Sequence, residues 1–520
     1  MTAADSISAT RLTPRRAATL LVAVTLAVFA TTLSAGFVYD ARMQILTDPF
    51  LHDPRNWLPV LTFGVLRMDV LDFNRPVHLA SLMLDAAVWG KAPFGYHLTS
   101  VLLHAANVVL AWQIIRRLAP GLGATAGIAA ALFFAVHPVV TEAVCEPTFR
   151  EDLLATFFTL VGLALALGRP ADGRGDGWRA AACIASCLLA VGSKESGITA
   201  PAAIAACRLL VRGGERGWFW PAVIGGGTLV VAAFLAARFL LEPTPSRIFE
   251  GRPQYPGGSL ASALLLEPRI LALYVQLVLL PVNLCADYGL YSIGHLPLPA
   301  AVAVLLAVAV AAAVAVRADR RMGLVVVLVV VPLLPVSNLI PIYKAAADRY
   351  LYLPIAGLAV GIALLLDGPW LARRAAVRDR LLGGLVVATI LLAVGCMERQ
   401  RVWAGSLALW DDTCRKNPAA ATAALGLAEA LLDAGRLAES EAAARRGIEL
   451  SGGGHGEAWA TLALVLAAQD RQAEAFTAVD KAVHVDARLA DPDARVNALA
   501  LERDYADALK RLLQRRAESP

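Results

Sequence analysis

Apolar residues dominate long stretches of the chain up to Met397, and the pattern changes abruptly after it. A helix needs about 20 mostly apolar residues to cross a bilayer. Segments 17–36, 97–115, 122–138, 152–168, 180–193, 197–211, 218–240, 298–316, 322–340, 351–367 and 381–397 meet or approach that length, and predict eleven transmembrane helices. A further apolar stretch, 266–282, starts on Glu267 and Arg269 and ends near Pro281. It reads as re-entrant or interfacial. Segment 37–96 is the one large polar insertion between early spans. Trp57, Trp89, Pro54, Pro59, Pro76 and Pro93 predict short helices on the membrane surface there.

From Gln400 to Pro520 the pattern is that of amphipathic helices rich in Ala, Glu, Arg and Leu. Residues 417–450 read as helix, turn, helix, and 457–485 read the same way. Gly435 and Asp470 fall at equivalent turn positions, and Leu427, Ala428 and Leu431 align with Leu462, Ala463 and Leu466. Trp459, Ala463, Ala475 and Ala482 resemble the tetratricopeptide signature, whose period is about 34 residues. Ser440, Ala444 and Gly447 are a weaker first copy, and 491–518 supplies a third, partial or capping pair. The fold expected is all-α: a polytopic membrane bundle over 1–397, with 37–96 as its first outer loop, followed by an α-solenoid over 398–520.

Composition agrees with this division. Of 520 residues 58% are hydrophobic and 17% charged, against about 45–50% and 25% in soluble domains. This excludes disorder and an ordinary cytosolic enzyme. The net charge of +5 is small and spread out, so nucleic acid is not an expected partner. Its sorting sets the topology. Arg11, Arg15 and Arg16 precede the first span, which reads as a retained signal anchor. Arg116, Arg117, Arg169, Arg174, Arg179, Arg212, Arg216, Arg317, Arg320, Arg321, Arg373, Arg374, Arg378 and Arg380 then fall on one side of an eleven-span chain. The N-terminus is expected inside and the C-terminal helices outside. Seven cysteines without CxxC or zinc spacing exclude a disulfide framework; Cys145 and Cys414 are expected to meet water.

Polar residues at membrane depth are costly and mark function. Four clusters stand at outer span ends: Asp40; His137-Pro138 with Thr141-Glu142, then Arg150-Glu151-Asp152; Ser193-Lys194-Glu195; and Ser337-Asn338 with Asp348-Arg349. Acids ringed by Arg and Lys at the lipid boundary suit an anionic lipid substrate. The alternatives are an ion pair of Glu142 with Arg150, pairing of Lys194 with Glu195, a helix cap at Asp348, and internal packing for His97 and His104.

At these residues the chain resembles the membrane O-mannosyltransferases that carry tetratricopeptide repeats, with their bacterial relatives, in the GT-C superfamily. Ordered matches include Phe37-Val38-Tyr39-Asp40, Asn74-Arg75-Pro76, Gly95-Tyr96-His97-Leu98, His137-Pro138, Thr141-Glu142-Ala143-Val144, Arg150 with Asp152, and Ser193-Lys194-Glu195. Later ones are Pro281-Val282-Asn283-Leu284, Asp287-Tyr288, Ser337-Asn338-Leu339-Ile340-Pro341 and Asp348-Arg349-Tyr350-Leu351-Tyr352-Leu353-Pro354. The resemblance implies sugar transfer from a polyprenyl-phosphate donor to a hydroxyl of an exported protein, on the non-cytoplasmic face. It implies an integral protein of a bacterial inner membrane with periplasmic repeats, and an acceptor protein held through them. Asp40 would be the base, with Glu142 the second catalytic candidate. Arg75, Arg150, Asp152, Lys194, Glu195, Asp348 and Arg349 would bind substrate. The family's first loop carries two adjacent acids, whereas here Ala41 follows Asp40. That departure bears on metal binding: a divalent metal stays open as a partner of Asp40, no pattern assigns metal ligands, and Asp48 and Asp53 are the acids at hand to compensate. It also keeps an alternative in view, a catalytically degenerate membrane-anchored scaffold whose repeats bind proteins. A transporter would place polar residues at mid-bilayer, which this chain does not.

Overall fold

Helix forms wherever the apolar runs lie, because a backbone in lipid must satisfy its own N–H and C=O groups. The computed structural model describes residues 13–170, 172–213, 215, 217–242, 255–289, 293–294, 296–490 and 503–518, and all regular structure among them is helical. Arg11, Arg216 and residues 491–502 of the expected tail lie outside the described residues.

Six described helices are long and apolar enough to cross a membrane: Pro93–Leu118, Phe219–Leu241, Leu260–Leu279, Leu298–Ala318, Asp348–Asp367 and Ala375–Val402. A seventh results if Ala124–Val136 and Pro138–Cys145, bent by 47°, are one span. The remaining expected spans are helical: 180–193 lies within the unbroken helix Asp176–Ser193, and the others are shorter or interrupted. Pro14–Val28 ends in a 3-10 turn, Arg150–Leu167 carries charges in its first turn, and Thr199–Ala206 continues as a π-helical turn. Met322–Val330 runs into 3-10 turns at Pro332 and Pro335. Proline removes a helical hydrogen bond and clashes with the preceding turn, which explains that break and the one at His137-Pro138.

Burial separates core from lipid-facing helices. The window of Asp348–Asp367 is 72% buried and that of Leu298–Ala318 only 6%. The central helix owes its close packing to Gly357 and Gly361, a small-residue pair one turn apart. A Cβ on Gly357 would lie 2.8 Å from Leu328, and one on Gly361 would lie 3.1 Å from Val325.

The basic loops gather at one end. Arg117 donates to the Ala164 carbonyl (2.5 Å), Arg212 to that of Arg169 (2.6 Å), and Arg321 to that of Leu118. Arg169 pairs with Asp176, and Arg321 with Asp319 and Asp367. The four polar clusters lie at the opposite end. Helix Leu260–Leu279 is long enough to cross and packs along Leu298–Ala318, and three of its hydrogen bonds go to that second end. Glu267 accepts from Asn338 (3.1 Å), Tyr274 from the Ala347 N–H (3.3 Å), and the Val278 carbonyl meets His137 (3.0 Å).

Beyond Val402 come Ser406–Lys416, then the helix pairs Ala421–Asp433 with Leu437–Leu450 and Gly456–Ala468 with Gln472–Val485. Both pairs turn the same way. Gly435 and Asp470 are left-handed (φ 70° and 61°), and Arg436 and Arg471 each donate a backbone bond of 2.9 Å five residues back, to Leu431 and Leu466. Ala428, Ala444, Ala463, Ala475 and Ala482 are buried where the helices meet. Cys145, expected to meet water, is instead buried against Thr32 (3.4 Å), while Cys414 is half-buried.

The helical pairs are docked on the bundle. Arg42 pairs with Asp433 (2.7 Å) and donates to Ser406 (2.9 Å), Arg399 pairs with Asp412 (2.7 Å), and Lys416 donates to the Leu284 carbonyl (2.8 Å). Trp410 stacks on Tyr39 with centroids 5.2 Å apart. A Cβ on Gly426 would come within 2.4 Å of the Trp410 ring. Gly426→Ala is expected to push the indole off Tyr39 and destabilise by about 1–3 kcal/mol, the cost of overpacking. Thermal unfolding of the purified variant measures it; an unchanged Tm would mean the junction yields freely.

Candidate active site

The first loop builds its own core from Phe37, Ala41, Ile45, Phe50, Leu51 and Leu82, among others. That core anchors the segment carrying Asp40. Tyr39 takes the left-handed conformation (φ 52°), uncommon for a side chain of its size. It is held by Trp410 and by Phe149, 5.6 Å away. A helical turn begins at Asp40.

Asp40 is exposed to solvent and, among the described residues, makes no hydrogen bond or ion pair. Protein groups nevertheless crowd around it. Desolvation pushes its carboxyl up to about 6, against the pull of Arg349 and Lys344 and with help from Asp72 and Glu151. Lys344 lies over the Tyr39 ring (5.7 Å) and pairs with Asp287 (3.0 Å). Desolvation opposes the charge on Lys344, and Tyr39 and Asp287 outweigh it, so the ammonium is kept.

Glu142 and Arg349 face each other at the same end. Glu142 accepts the Arg349 N–H (2.8 Å) and pairs with its guanidinium, and its side chain is 1% exposed. The guanidinium stacks 3.9 Å over Phe149. Asp348 is buried and accepts from the Tyr288 hydroxyl (2.5 Å). It does not cap a helix with its side chain.

Arg75, Asp152, Lys194 and Glu195 form one ionic chain. Lys194 joins Asp152 (2.5 Å) and Glu151 (3.0 Å). Arg75 joins Glu151, Asp72 (2.8 Å) and Glu195 (3.4 Å), and Arg238 completes Glu195 (2.8 Å). Glu195 is held down to about 2: burial raises it, but Arg75 and Arg238 prevail. Lys194 and Glu195, adjacent in sequence, thus pair with other partners, because extended backbone at Lys194 (φ −162°) separates them. Arg150 departs from the expected pairing with Glu142. It is fully buried between helices, paired with Asp85 (2.6 Å) and bonded to Ser81, Ser100 and the Tyr96 carbonyl. His97 and His104 are buried inside, as packing residues would be.

Asp48 and Asp53 do not approach Asp40; each accepts a local N–H, from Phe50 and Arg55. Asp72, His78 and Glu151 bring three potential ligand atoms within 4.8 Å of one another. Arg75 already bridges the two carboxylates, so a guanidinium stands where a divalent metal would compete. Sequence reading missed Arg238, whose signal is its place as the one cation near the outer end of an apolar span. It also missed the partnership of Tyr39 with Trp410, for which no local signal exists.

No family model matches the chain. It is 24% identical over 445 residues to a protein O-mannosyl-transferase of Caenorhabditis elegans, covering 81% of this chain and 61% of that protein. It is 34% identical over 136 residues to one of Drosophila melanogaster (25% and 16%) and 35% over 146 residues to a human one (27% and 17%). The chain thus spans less than two thirds of these relatives. Among solved structures, ArnT from Cupriavidus metallidurans bound to undecaprenyl phosphate aligns over 91% of this chain and 79% of its own, at 17% identity and a TM-score of 0.41. By sequence, the chain is similar to proteins named protein O-mannosyl-transferases.

Proposed function

We propose that this chain is a membrane glycosyltransferase of the GT-C type. It moves a sugar, mannose or a close relative, from a polyprenyl-phosphate donor to a hydroxyl of an exported protein on the non-cytoplasmic face. The observation that carries this reading is Asp40: a solvent-exposed carboxylate without a partner among the described residues, with Arg349 and Lys344 near it. The acceptor hydroxyl gives its proton to Asp40 as its oxygen attacks C1 of the sugar. Charge grows on the departing phosphate, and the cations near Asp40 offset it. Attack in line with the leaving group inverts the anomeric centre. The names of the relatives support the sugar and the acceptor class. The docking of 404–433 beside Tyr39 supports an acceptor brought along the C-terminal helices.

The test is transfer from polyprenyl-phosphate mannose to an acceptor protein by the purified chain in liposomes. Asp40 acts as a base only when ionised, and desolvation by the surrounding protein raises its pKa to about 6. Transfer is therefore expected to be full well above pH 6 and to fall about tenfold per unit below it. Absence of transfer across pH 5–9, with other polyprenyl-phosphate sugars also inert, would overturn the reading.

A further inference from the structure

Glu146 is a carboxyl that the proposed chemistry leaves unused. It follows the short helix Thr141–Cys145, beyond the bend at His137-Pro138, and is fully buried. Its Oε1 accepts from the Ala41 N–H (3.1 Å), the Thr148 hydroxyl (2.7 Å) and the Thr148 N–H (3.4 Å). Its Oε2 is buried and, among the described residues, has no hydrogen bond. Three residues on, Phe149 packs edge-on against Tyr39.

Segment 146–149 therefore grips the residues on both sides of Asp40 and leaves Asp40 itself untouched. A carboxylate with no partner of its own takes its aim from its backbone. That backbone follows a left-handed Tyr39, a conformation that persists only where its surroundings over-determine it. We propose that Glu146 is the positioning residue that aims Asp40, by clamping the peptide that follows it. The inference rests on the glycosyltransferase reading. Burial, reinforced by the Asp40 charge, pushes Glu146 well above the usual carboxylate range, so glutamine is its isosteric counterpart at neutral pH.

The experiment uses the full chain in liposomes with polyprenyl-phosphate mannose. Glu146→Ala is expected to lower kcat about tenfold or more, since a misplacement of about 1 Å can cost a hundredfold, with donor KM within about twofold. Water entering the vacated space also moves the acid limb to lower pH, because desolvation is what raises Asp40. Arg349, Lys344, Asp72 and Glu151 face Asp40 from the other elements and are unchanged. Glu146→Gln is expected to keep kcat within about threefold and the acid limb in place. Glu146→Asp, which withdraws the carboxyl from the Ala41 N–H, repeats the kcat loss and covers the case that the alanine variant does not fold. Wild-type kcat and acid limb in the Ala or Asp variant would overturn the inference, as would equal loss in Ala and Gln. If Asp40→Asn is inactive and these variants are normal, only the role of Glu146 fails. If Asp40→Asn is active, the reading beneath it fails.

Discussion

Asp40→Asn is expected to reduce sugar transfer by about a thousandfold, within the 10²–10⁴ typical of a general base, without changing the stability of the protein. Asparagine has the shape of aspartate but cannot take a proton from the acceptor hydroxyl. Nothing structural is lost, because Asp40 makes no hydrogen bond or ion pair among the described residues. Its neighbours hold their places through other contacts: Tyr39 through Trp410 and Phe149, Ala41 through Glu146, and Lys344 through Asp287. Removing one negative charge between Arg349 and Lys344 even strengthens the positive potential there, so donor binding should hold or tighten. Single-turnover transfer with donor in excess separates the two effects. A variant that keeps more than a tenth of wild-type turnover would remove Asp40 as the base.

Arg349→Met is expected to destabilise the protein by about 3–5 kcal/mol, the cost of leaving a buried ion without its partner. The stranded group is Glu142, 1% exposed and bonded to Arg349 through both backbone and guanidinium. The Met side chain keeps the contact with Phe149 but brings no charge. Adding Glu142→Gln should recover most of the lost stability, since replacing a whole buried pair is often near neutral. The double variant should remain poorly active, because one of the two cations near Asp40 is gone. Thermal unfolding in detergent, with transfer measured in parallel, checks both arms. Wild-type stability in the single variant would mean that Glu142 is not held by Arg349.

The spans and the candidate site were legible to different degrees. Burial in lipid demands long apolar runs, so the helical segments can be read from the chain one at a time. Arg sorting does the same for the two ends: Arg117, Arg169, Arg212 and Arg321 meet at one, as their placement in short loops predicts. The clusters around Asp40, Glu142, Asp152, Lys194 and Asp348 share the other end because costly polar groups concentrate where water reaches them. Pairings were not legible. Arg150 turns to Asp85 and Glu142 to Arg349, more than 200 positions away. Charge is not directional along a sequence, so only helix packing selects the partner.

The chain by itself therefore determined which segments are helical, where the apolar part ends, and which polar residues must share a boundary. These are consequences of local hydropathy and of the solvent each residue can tolerate. The tertiary structure alone decided which acid stands unpaired. Asp40, Glu142, Asp152 and Glu195 look alike in sequence. Folding surrounds three of them with Arg349, Lys194, Arg75 and Arg238 and leaves Asp40 open, gripped on either side through Tyr39 and Ala41. Whether a carboxylate acts as a base depends on whether another group has already claimed it, and that depends on residues distant in the chain.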